Sequence, residues 1–291
     1  EISPDLKTES HIVALGCGGA RKDRVLLEAM AAASRSAEKF TPVDVSAPLA
    51  LLSADHVASF ENVSIQPIVA NIAALADFGG FLDKMDDEAP RVITVFGLLP
   101  NFEPSVLLPW LAALLRPQDR LLLSANLAPV EEDEDLSETP DDIPNGEADM
   151  AYLEATRRIL PQYDNLETFG WIWRVIQDWG LELAVEAKEF RIQVEASPEL
   201  QHGLPVATAP EIAPGLTRIA ATGPWCYTAE VEMEGYRRLV RSGELLGVFF
   251  SYRYTRARLA RELRKHGLSL KHGKIAKNRE EGVWEVGLAS T

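Results

Sequence analysis

The protein has 291 residues, of which 46% are hydrophobic and 25% are charged. This is the composition of a globular protein. It excludes a disordered or fibrous chain, and the length predicts one large domain or two smaller ones. Acidic residues number 44 against 29 Lys and Arg, which gives a net charge of −15 and argues against unselective binding to nucleic acid or to an anionic membrane.

Short apolar segments alternate with amphipathic helical patterns through the first 126 residues. Strands that are apolar throughout are typical of a parallel sheet covered on both faces, because helices in the connections bury each side. The pattern therefore predicts an α/β fold with a doubly wound, Rossmann-like core. The predicted strands are 11–15, 40–45, 63–70, 91–97 and 119–126, with helices after the first strand, after Ser46 and over 104–115.

The pattern changes after the fifth predicted strand. Residues 131–149 hold ten acidic side chains and no Lys or Arg, so we expect a solvated acidic loop there. A helical stretch, three tryptophans and alternating strand patterns then predict a smaller α+β substrate domain inserted into the core. The predicted parts are a core over 10–130 and 252–291, the loop over 131–149, and the inserted domain over 150–251.

The first predicted strand ends in a glycine turn that contains Gly16 and Gly18. Glycine lets the backbone come close to a ligand, and the amides of such a turn, with the start of the next helix, can face an anionic or polar cofactor group. A dinucleotide-binding motif would have a third glycine where this chain has Arg21. By itself, the turn fits either a cofactor site or a tight connection without a ligand.

Two further positions favour the cofactor interpretation. Asp44 ends the second predicted strand, where a carboxylate can accept the hydroxyls of a ribose. The alternative is a surface carboxylate that caps the next helix. Asp77 and Phe78 follow the third predicted strand, where a carboxylate and an aromatic ring suit an adenine, and the alternative is an ordinary loop.

Taken in order, these segments resemble S-adenosylmethionine-dependent methyltransferases. They are most similar to the histidine-specific family that makes trimethylhistidine for ergothioneine. Three later segments extend the resemblance over most of 11–288. They are 96–102, similar to the family's Leu-Gly-Ser-x-x-Gly-Asn-Phe, 163–169, similar to its Tyr-Asn-Asp segment, and 251–255, similar to its Ser-x-Lys-Tyr segment.

The resemblance implies S-adenosylmethionine as the cofactor and assigns residues to each part of it. It also implies that the core has a methyltransferase-type arrangement. The methionine end would be held by Gly16, Gly18 and Lys22, the ribose by Asp44, and the adenine by Asp77 with Phe78.

The substrate positions carry one departure from the family. The resemblance implies that Asn101 and Tyr163 bind the amino and carboxylate groups of a substrate and that Ser251 lines the same site. Two residues before that serine, the family has an imidazole-binding Glu, whereas this chain has Phe249. An imidazole N–H buried against Phe is left unpaired, which costs ~1–3 kcal/mol. We therefore expect a substrate other than histidine.

The sequence thus predicts an enzyme that transfers methyl groups from S-adenosylmethionine to a nitrogen of a small amine or amino-acid-like molecule. Tyr163, or a water, would receive the proton. Two alternatives stay open: a catalytically silent relative that acts in protein association, and a nicotinamide-dependent oxidoreductase on the same core. We expect no metal, because the five histidines show no ligand spacing.

We expect a cytoplasmic protein that meets neither nucleic acid nor membrane. The two cysteines fit a reducing compartment, and residues 1–5 lack the basic and apolar regions of a signal peptide. The longest apolar stretches are interrupted by Gly and Pro before they reach the ~20 residues of a membrane helix. Because the chain opens at Glu1, we also expect a segment to have been trimmed before it.

Overall fold

The computed structural model describes residues 9–72, 82, 90–130, 146–178, 180–181, 185, 189–200, 207–208, 211–233 and 236–289. It divides into two compact units, Glu1–Asn126 with Leu259–Thr291, and Leu127–Arg258. The chain thus returns to the first unit at Leu259, whereas the sequence pattern places this return at residue 252. Among the described residues, no helix is long and apolar enough to cross a membrane.

The first unit is built on one eight-stranded sheet. Its strand order is β13-β14-β6-β5-β1-β2-β3, with β4 also paired to β2. Seven of these strands run in the same direction, and β14 is antiparallel to both of its neighbours, β6 and β13. The strands are β1 Glu9–Leu15, β2 Ser36–Asp44, β3 Ser64–Ile65, β4 Ile68–Val69, β5 Arg91–Val95, β6 Arg120–Asn126, β13 Leu268–Ile275 and β14 Glu281–Leu288.

This topology confirms the doubly wound α/β core. The first strand lies inside the sheet, and the chain proceeds outward from it first through β2 and later through β5. The neighbouring ends of β1 and β5 therefore form the switch point at which such sheets bind ligands. The helices of this unit are α1 Arg21–Ala32, α2 Ala47–Val57 and α3 Pro104–Leu114, with a short 3-10 helix over Leu99–Asn101.

The packing of the first unit agrees with the predicted alternation of apolar strands and amphipathic helices. All residues of β5 are buried, and Ile12, Val13 and Ala14 of β1 are at most 1% exposed, so this part of the sheet is covered on both faces. Leu27 and Met30 of α1 pack with Ile12 and Ala14 on one of these faces. The helix that the spacing predicts after the glycine turn is thus confirmed.

The predicted strand over 63–70 is interrupted. In its place β3 and β4 each pair for two residues with β2. Pro67 lies between them, and proline has no N–H to donate to a strand ladder. Pro42 of β2 lies opposite this gap, between the residues that pair with β3 and those that pair with β4.

The second unit combines two helices with a four-stranded sheet of order β12-β9-β7-β8. One face of the sheet packs against the helices in two apolar clusters. One cluster includes Ile159 and Ile219, and the other includes Ile176 and Ala221. A separate hairpin, β10–β11, completes the unit. The elements are α4 Gly146–Ile159, a 3-10 helix Leu160–Tyr163, α5 Leu166–Asp178, β7 Arg191–Ala196, a 3-10 helix Pro198–Leu200, β8 Ala207–Thr208, β9 Thr217–Pro224, β10 Ala229–Met233, β11 Tyr236–Val240 and β12 Leu245–Arg253.

One boundary falls inside the segment predicted to be an acidic loop. Residues 146–149 belong to α4, and residues 131–145 lie outside the described residues. The side chain of Asp149 accepts a hydrogen bond from Arg258, which explains why an acidic residue continues into a helix here. The carboxy-terminal helix is α6, Arg256–Lys265, and β13 pairs with β14 in a final hairpin.

Candidate functional site

The glycine turn joins β1 to α1 in a left-handed backbone conformation. Gly16, Gly18 and Gly19 have φ angles of 62°, 55° and 119°, a region that glycine adopts without steric cost. A Cβ at Gly16 would also lie 2.9 Å from the side chain of Leu98, whereas a Cβ at Gly18 would meet only a carbonyl oxygen at 3.8 Å. There is therefore no room for another atom beside the Gly16 Cα, whereas the space beside the Gly18 Cα is open.

Asp44 holds this turn in place. Its side chain is at the end of β2 and is 7% exposed. One carboxylate oxygen accepts a hydrogen bond from the Gly18 amide at 3.0 Å, and the other accepts one from the Ser46 amide at 2.9 Å. Ser46 itself caps α2, as predicted, by accepting from the Leu49 amide at 3.5 Å.

The residues present at this turn fit the cofactor implied by the resemblance. An ionised carboxylate has about four acceptor positions. The amides of Gly18 and Ser46 and, at 4.0 Å, the thiol of Cys17 donate to Asp44, so one position is left for a ribose hydroxyl. The open position at Gly18 and the empty space beside Gly97, where a Cβ would meet nothing within 4 Å, leave room for a ligand. Both glycines have positive φ.

Cys17 is a half-buried residue of the turn that packs against the core of the first unit. Burial raises the pKa of its thiol, as do the negative charges of Asp44 and Asp23, although a hydrogen bond from Ser53 opposes this. The Ser53 hydroxyl lies 3.1 Å from the sulfur. A thiol held in its protonated form does not supply the thiolate that reactive cysteines need.

Lys22, the second residue of α1, is an exposed cation. Its amino group donates a hydrogen bond to the carboxylate of Glu281 on β14, and both side chains are more than one third exposed. Its assignment to the methionine end of the cofactor stays a prediction. Asp77 and Phe78, assigned to the adenine, lie outside the described residues.

Asn101 ends the 3-10 helix that follows β5, and its side chain is exposed. The amide nitrogen of that side chain donates to the carbonyl oxygen of Gly97 at 3.1 Å. The Gly97 amide in turn donates to the Ser124 hydroxyl at 2.8 Å. These bonds fix the loop at the end of β5 and leave the amide oxygen of Asn101 exposed to a ligand.

The other predicted substrate residues meet in the second unit. Phe249, Ser251 and Arg253 alternate along β12, opposite Ala221, Ile219 and Thr217 of β9, so their side chains share the sheet face that the helices cover. Tyr163 and Trp171 contact this row. The ring centroid of Phe249 lies 6.3 Å from that of Tyr163 and 5.2 Å from that of Trp171.

Arg253 is the residue of this group to which the sequence assigned no role. Its guanidinium donates a hydrogen bond to the hydroxyl oxygen of Tyr163 and lies 5.3 Å from the centre of the Tyr163 ring. The residue is only 3% exposed. Strand alternation from Phe249 and Ser251 was the signal that could have found it, because residues two apart on a strand share a face.

Ser251 is 1% exposed, whereas Phe249 and Tyr163 are half-buried and Trp171 is 41% exposed. The rings of Phe249 and Trp171 meet edge to face, an orientation that stabilises aromatic pairs. The rings of Tyr163, Phe249 and Trp171 thus form an aromatic surface in the second unit. The buried guanidinium of Arg253 lies against the Tyr163 ring. Among the described residues, no group of three or more His, Cys, Asp and Glu side chains is placed to hold a metal ion.

Solved structures that are similar to this chain share little sequence with it. An S-adenosylmethionine-dependent methyltransferase from Clostridium acetobutylicum has 10% identity and a TM-score of 0.45, over 98% of this chain and 86% of that chain. The 1,6-didemethyltoxoflavin-N1-methyltransferase of Burkholderia thailandensis has 11% identity and a TM-score of 0.43, over 96% and 71%. The CcbJ methyltransferase of Streptomyces caelestis has 11% identity and a TM-score of 0.40, over 96% and 89%.

The family comparison concerns the amino-terminal part of the chain. Residues 1–139 match the family model described as histidine-specific methyltransferase, SAM-dependent. No curated protein matches the chain. The matched segment contains the glycine turn and Asp44, and its strands form the doubly wound sheet described above. Over residues 1–139 the chain is therefore similar to histidine-specific, SAM-dependent methyltransferases.

Proposed function

We propose that the protein transfers a methyl group from S-adenosylmethionine to a nitrogen of a small amine or amino-acid-like molecule. The observation that carries the proposal is the glycine turn, held by Asp44 and open at Gly18, within the segment that matches the family. Gly16 and Gly18 would hold the methionine end and Asp44 the ribose. When bound, the cofactor supplies an electrophilic methyl group.

The contribution of the protein to such a reaction is position and exclusion of water. A neutral nitrogen lone pair must lie in line with the methyl group, and a fixed arrangement of this kind lowers the barrier without covalent catalysis. The nitrogen must lose its proton before or during attack. We assign this proton to water, because Tyr163 as a neutral phenol would have to lose its own proton before it could receive another.

Tyr163 then acts as a hydrogen-bond donor. A phenol has one hydrogen, and with its oxygen engaged by Arg253 this hydrogen is directed away from the guanidinium. A carboxylate is the complementary acceptor, which supports an amino-acid-like substrate. The aromatic surface of Phe249 and Trp171 supports an aromatic or aliphatic portion in the same molecule.

The test is a methyl-transfer assay on a panel of amines, amino acids and aromatic amino-acid derivatives. The readouts are the mass of each product and the release of S-adenosylhomocysteine. We expect the mass of at least one small amine to increase by one or more methyl groups, in proportion to the S-adenosylhomocysteine released. A protein that binds the cofactor and methylates no member of a broad panel would support the silent relative that acts in protein association. The nicotinamide alternative is opposed by Arg21 at the third glycine position and by the family match.

A further inference from the structure

Asp23 is a buried carboxylate directly behind the glycine turn. It is the third residue of α1, and it is 2% exposed. The hydroxyl of Thr94, itself 1% exposed on β5, donates a hydrogen bond to one of its oxygens. Aspartate is seldom buried unless its charge is paired, so its position at the switch point between β1 and β5 calls for an explanation.

The charged and titratable groups at Asp23 and the glycine turn are Lys22, Cys17, Asp44 and His56. The ring nitrogen of His56 lies 2.7 Å from the carbonyl oxygen of Gly19. Lys22, the neighbour of Asp23 on α1, lowers the pKa of Asp23, but the Lys22 amino group is paired with Glu281. Besides burial, the negative charges of Asp44 and Asp23 raise the pKa of the Cys17 thiol in the glycine turn. The carboxylate of Asp44, which accepts from the Gly18 amide, and that of Asp23, in the first turn of α1, thus both lie close to the turn.

Burial raises the pKa of Asp23 to about 6, with Thr94 and Lys22 acting in the opposite direction. The carboxylate is therefore ionised at neutral pH and becomes neutral in mildly acidic solution. A buried charge acts through a medium of low dielectric and is screened less by salt than a surface charge. The charge of Asp23 consequently changes the binding free energy of a charged ligand that it does not contact.

We propose that the Asp23 carboxylate makes the turn distinguish the cationic methyl donor from its product. The inference rests on the proposed placement of the cofactor at this turn. S-Adenosylmethionine carries a positive sulfonium, whereas S-adenosylhomocysteine has an uncharged thioether in its place. A fixed negative charge behind the turn stabilises the first ligand more than the second, and this favours exchange of product for donor after each transfer.

The experiment is calorimetric titration with two unreactive ligands. One is sinefungin, an analogue with a cationic amine in place of the sulfonium, and the other is S-adenosylhomocysteine. The quantity of interest is the Kd for S-adenosylhomocysteine divided by the Kd for sinefungin. In Asp23→Asn we expect this ratio to fall about fivefold or more relative to wild type. The matched control is Asp55→Asn, which removes one exposed negative charge from α2 and should leave the ratio unchanged.

A second readout uses the unmodified protein. Its ratio should be larger at about pH 7 than at about pH 5, because Asp23 is neutral at the lower pH, and the dependence should vanish in Asp23→Asn. If the Asn variant does not fold, Asp23→Ser replaces it in both measurements. Equal changes in the two Kd values, or a pH dependence that persists without Asp23, would overturn the inference. If wild type binds neither ligand, the proposed cofactor placement fails first.

Discussion

Asp44 and Gly18, on either side of the first crossover connection, are joined by a hydrogen bond of 3.0 Å from the backbone amide to the carboxylate. The same carboxylate receives the Ser46 amide. Asp44 therefore has two functions in our account: it fixes the open side of the glycine turn, and it has a remaining acceptor position for a ribose hydroxyl.

Replacing Asp44 with Ala should weaken S-adenosylhomocysteine binding. A hydrogen bond from a ribose hydroxyl to a charged group is worth ~1.5–3 kcal/mol, which corresponds to roughly ten- to a hundredfold in Kd. Calorimetry gives the affinity, and circular dichroism checks the fold. Ser46→Ala is the matched control, because it removes the helix cap at a cost of ~1 kcal/mol in stability without touching the proposed ribose site. Unchanged affinity in Asp44→Ala would refute the ribose assignment.

Asp23 should impose a pH dependence on stability. Its folded-state pKa of about 6 lies above its usual value of 3.8, so the folded protein binds more protons than the unfolded chain between these values. The contribution of Asp23 to the free energy of unfolding is therefore fully present below about pH 4. It decreases by ~3 kcal/mol at most as the pH rises to about 6. Urea unfolding should show Asp23→Asn gaining stability relative to wild type over this interval. A constant difference between the two proteins across the same interval would contradict the assignment.

Residues 131–145 should be dispensable for cofactor binding. Their acidic composition buries little apolar surface, and the strands of the first unit pair without them. A short Gly/Ser replacement should leave the Kd for S-adenosylhomocysteine within about twofold. Asp149 provides the contrast, because it accepts from the buried Arg258, and Asp149→Ala should lower the unfolding free energy by more than ~1 kcal/mol. Loss of cofactor binding in a folded loop variant would make the loop part of the site.

Phe249 should exclude histidine as an efficient methyl acceptor. Its ring packs with Tyr163 and Trp171, and the resemblance aligns it with the imidazole-binding Glu of the histidine-specific family. An apolar wall selects by shape, and it leaves an imidazole N–H unpaired. Product mass should therefore show poor methylation of histidine by wild type and a higher kcat/KM for histidine in Phe249→Glu. Efficient trimethylation of histidine by wild type would show that another group binds the imidazole.

The sequence predicted those features that depend on neighbouring residues. The run 11–15, its glycines and the apolar spacing of α1 specify a strand, a turn and a helix locally. The break between β3 and β4 was missed because the apolar run outweighed Pro67, the residue that ends the ladder.

The chemistry of the candidate site was less accessible from sequence. The contact of Asp44 with Gly18 joins residues 26 positions apart, and that of Arg253 with Tyr163 joins residues 90 positions apart. Such pairs depend on how strands and helices pack and not on local spacing. Asp23 was overlooked because an acidic residue in the first turn of a helix is ordinarily a solvated partner of the helix dipole, and its burial against Thr94 becomes visible only in the folded sheet.

The central claim, transfer of a methyl group to nitrogen, is tested most directly by following the methyl carbon itself. The protein is incubated with S-adenosylmethionine labelled with carbon-13 in the methyl group and with the best acceptor from the amine panel, and the product is examined by carbon–proton correlation NMR. Our account predicts a new methyl signal with the shift of a carbon bonded to nitrogen, and its loss in Asp44→Ala at limiting cofactor. A labelled methyl group on oxygen or carbon, or no labelled product from any acceptor that the protein binds, would contradict it.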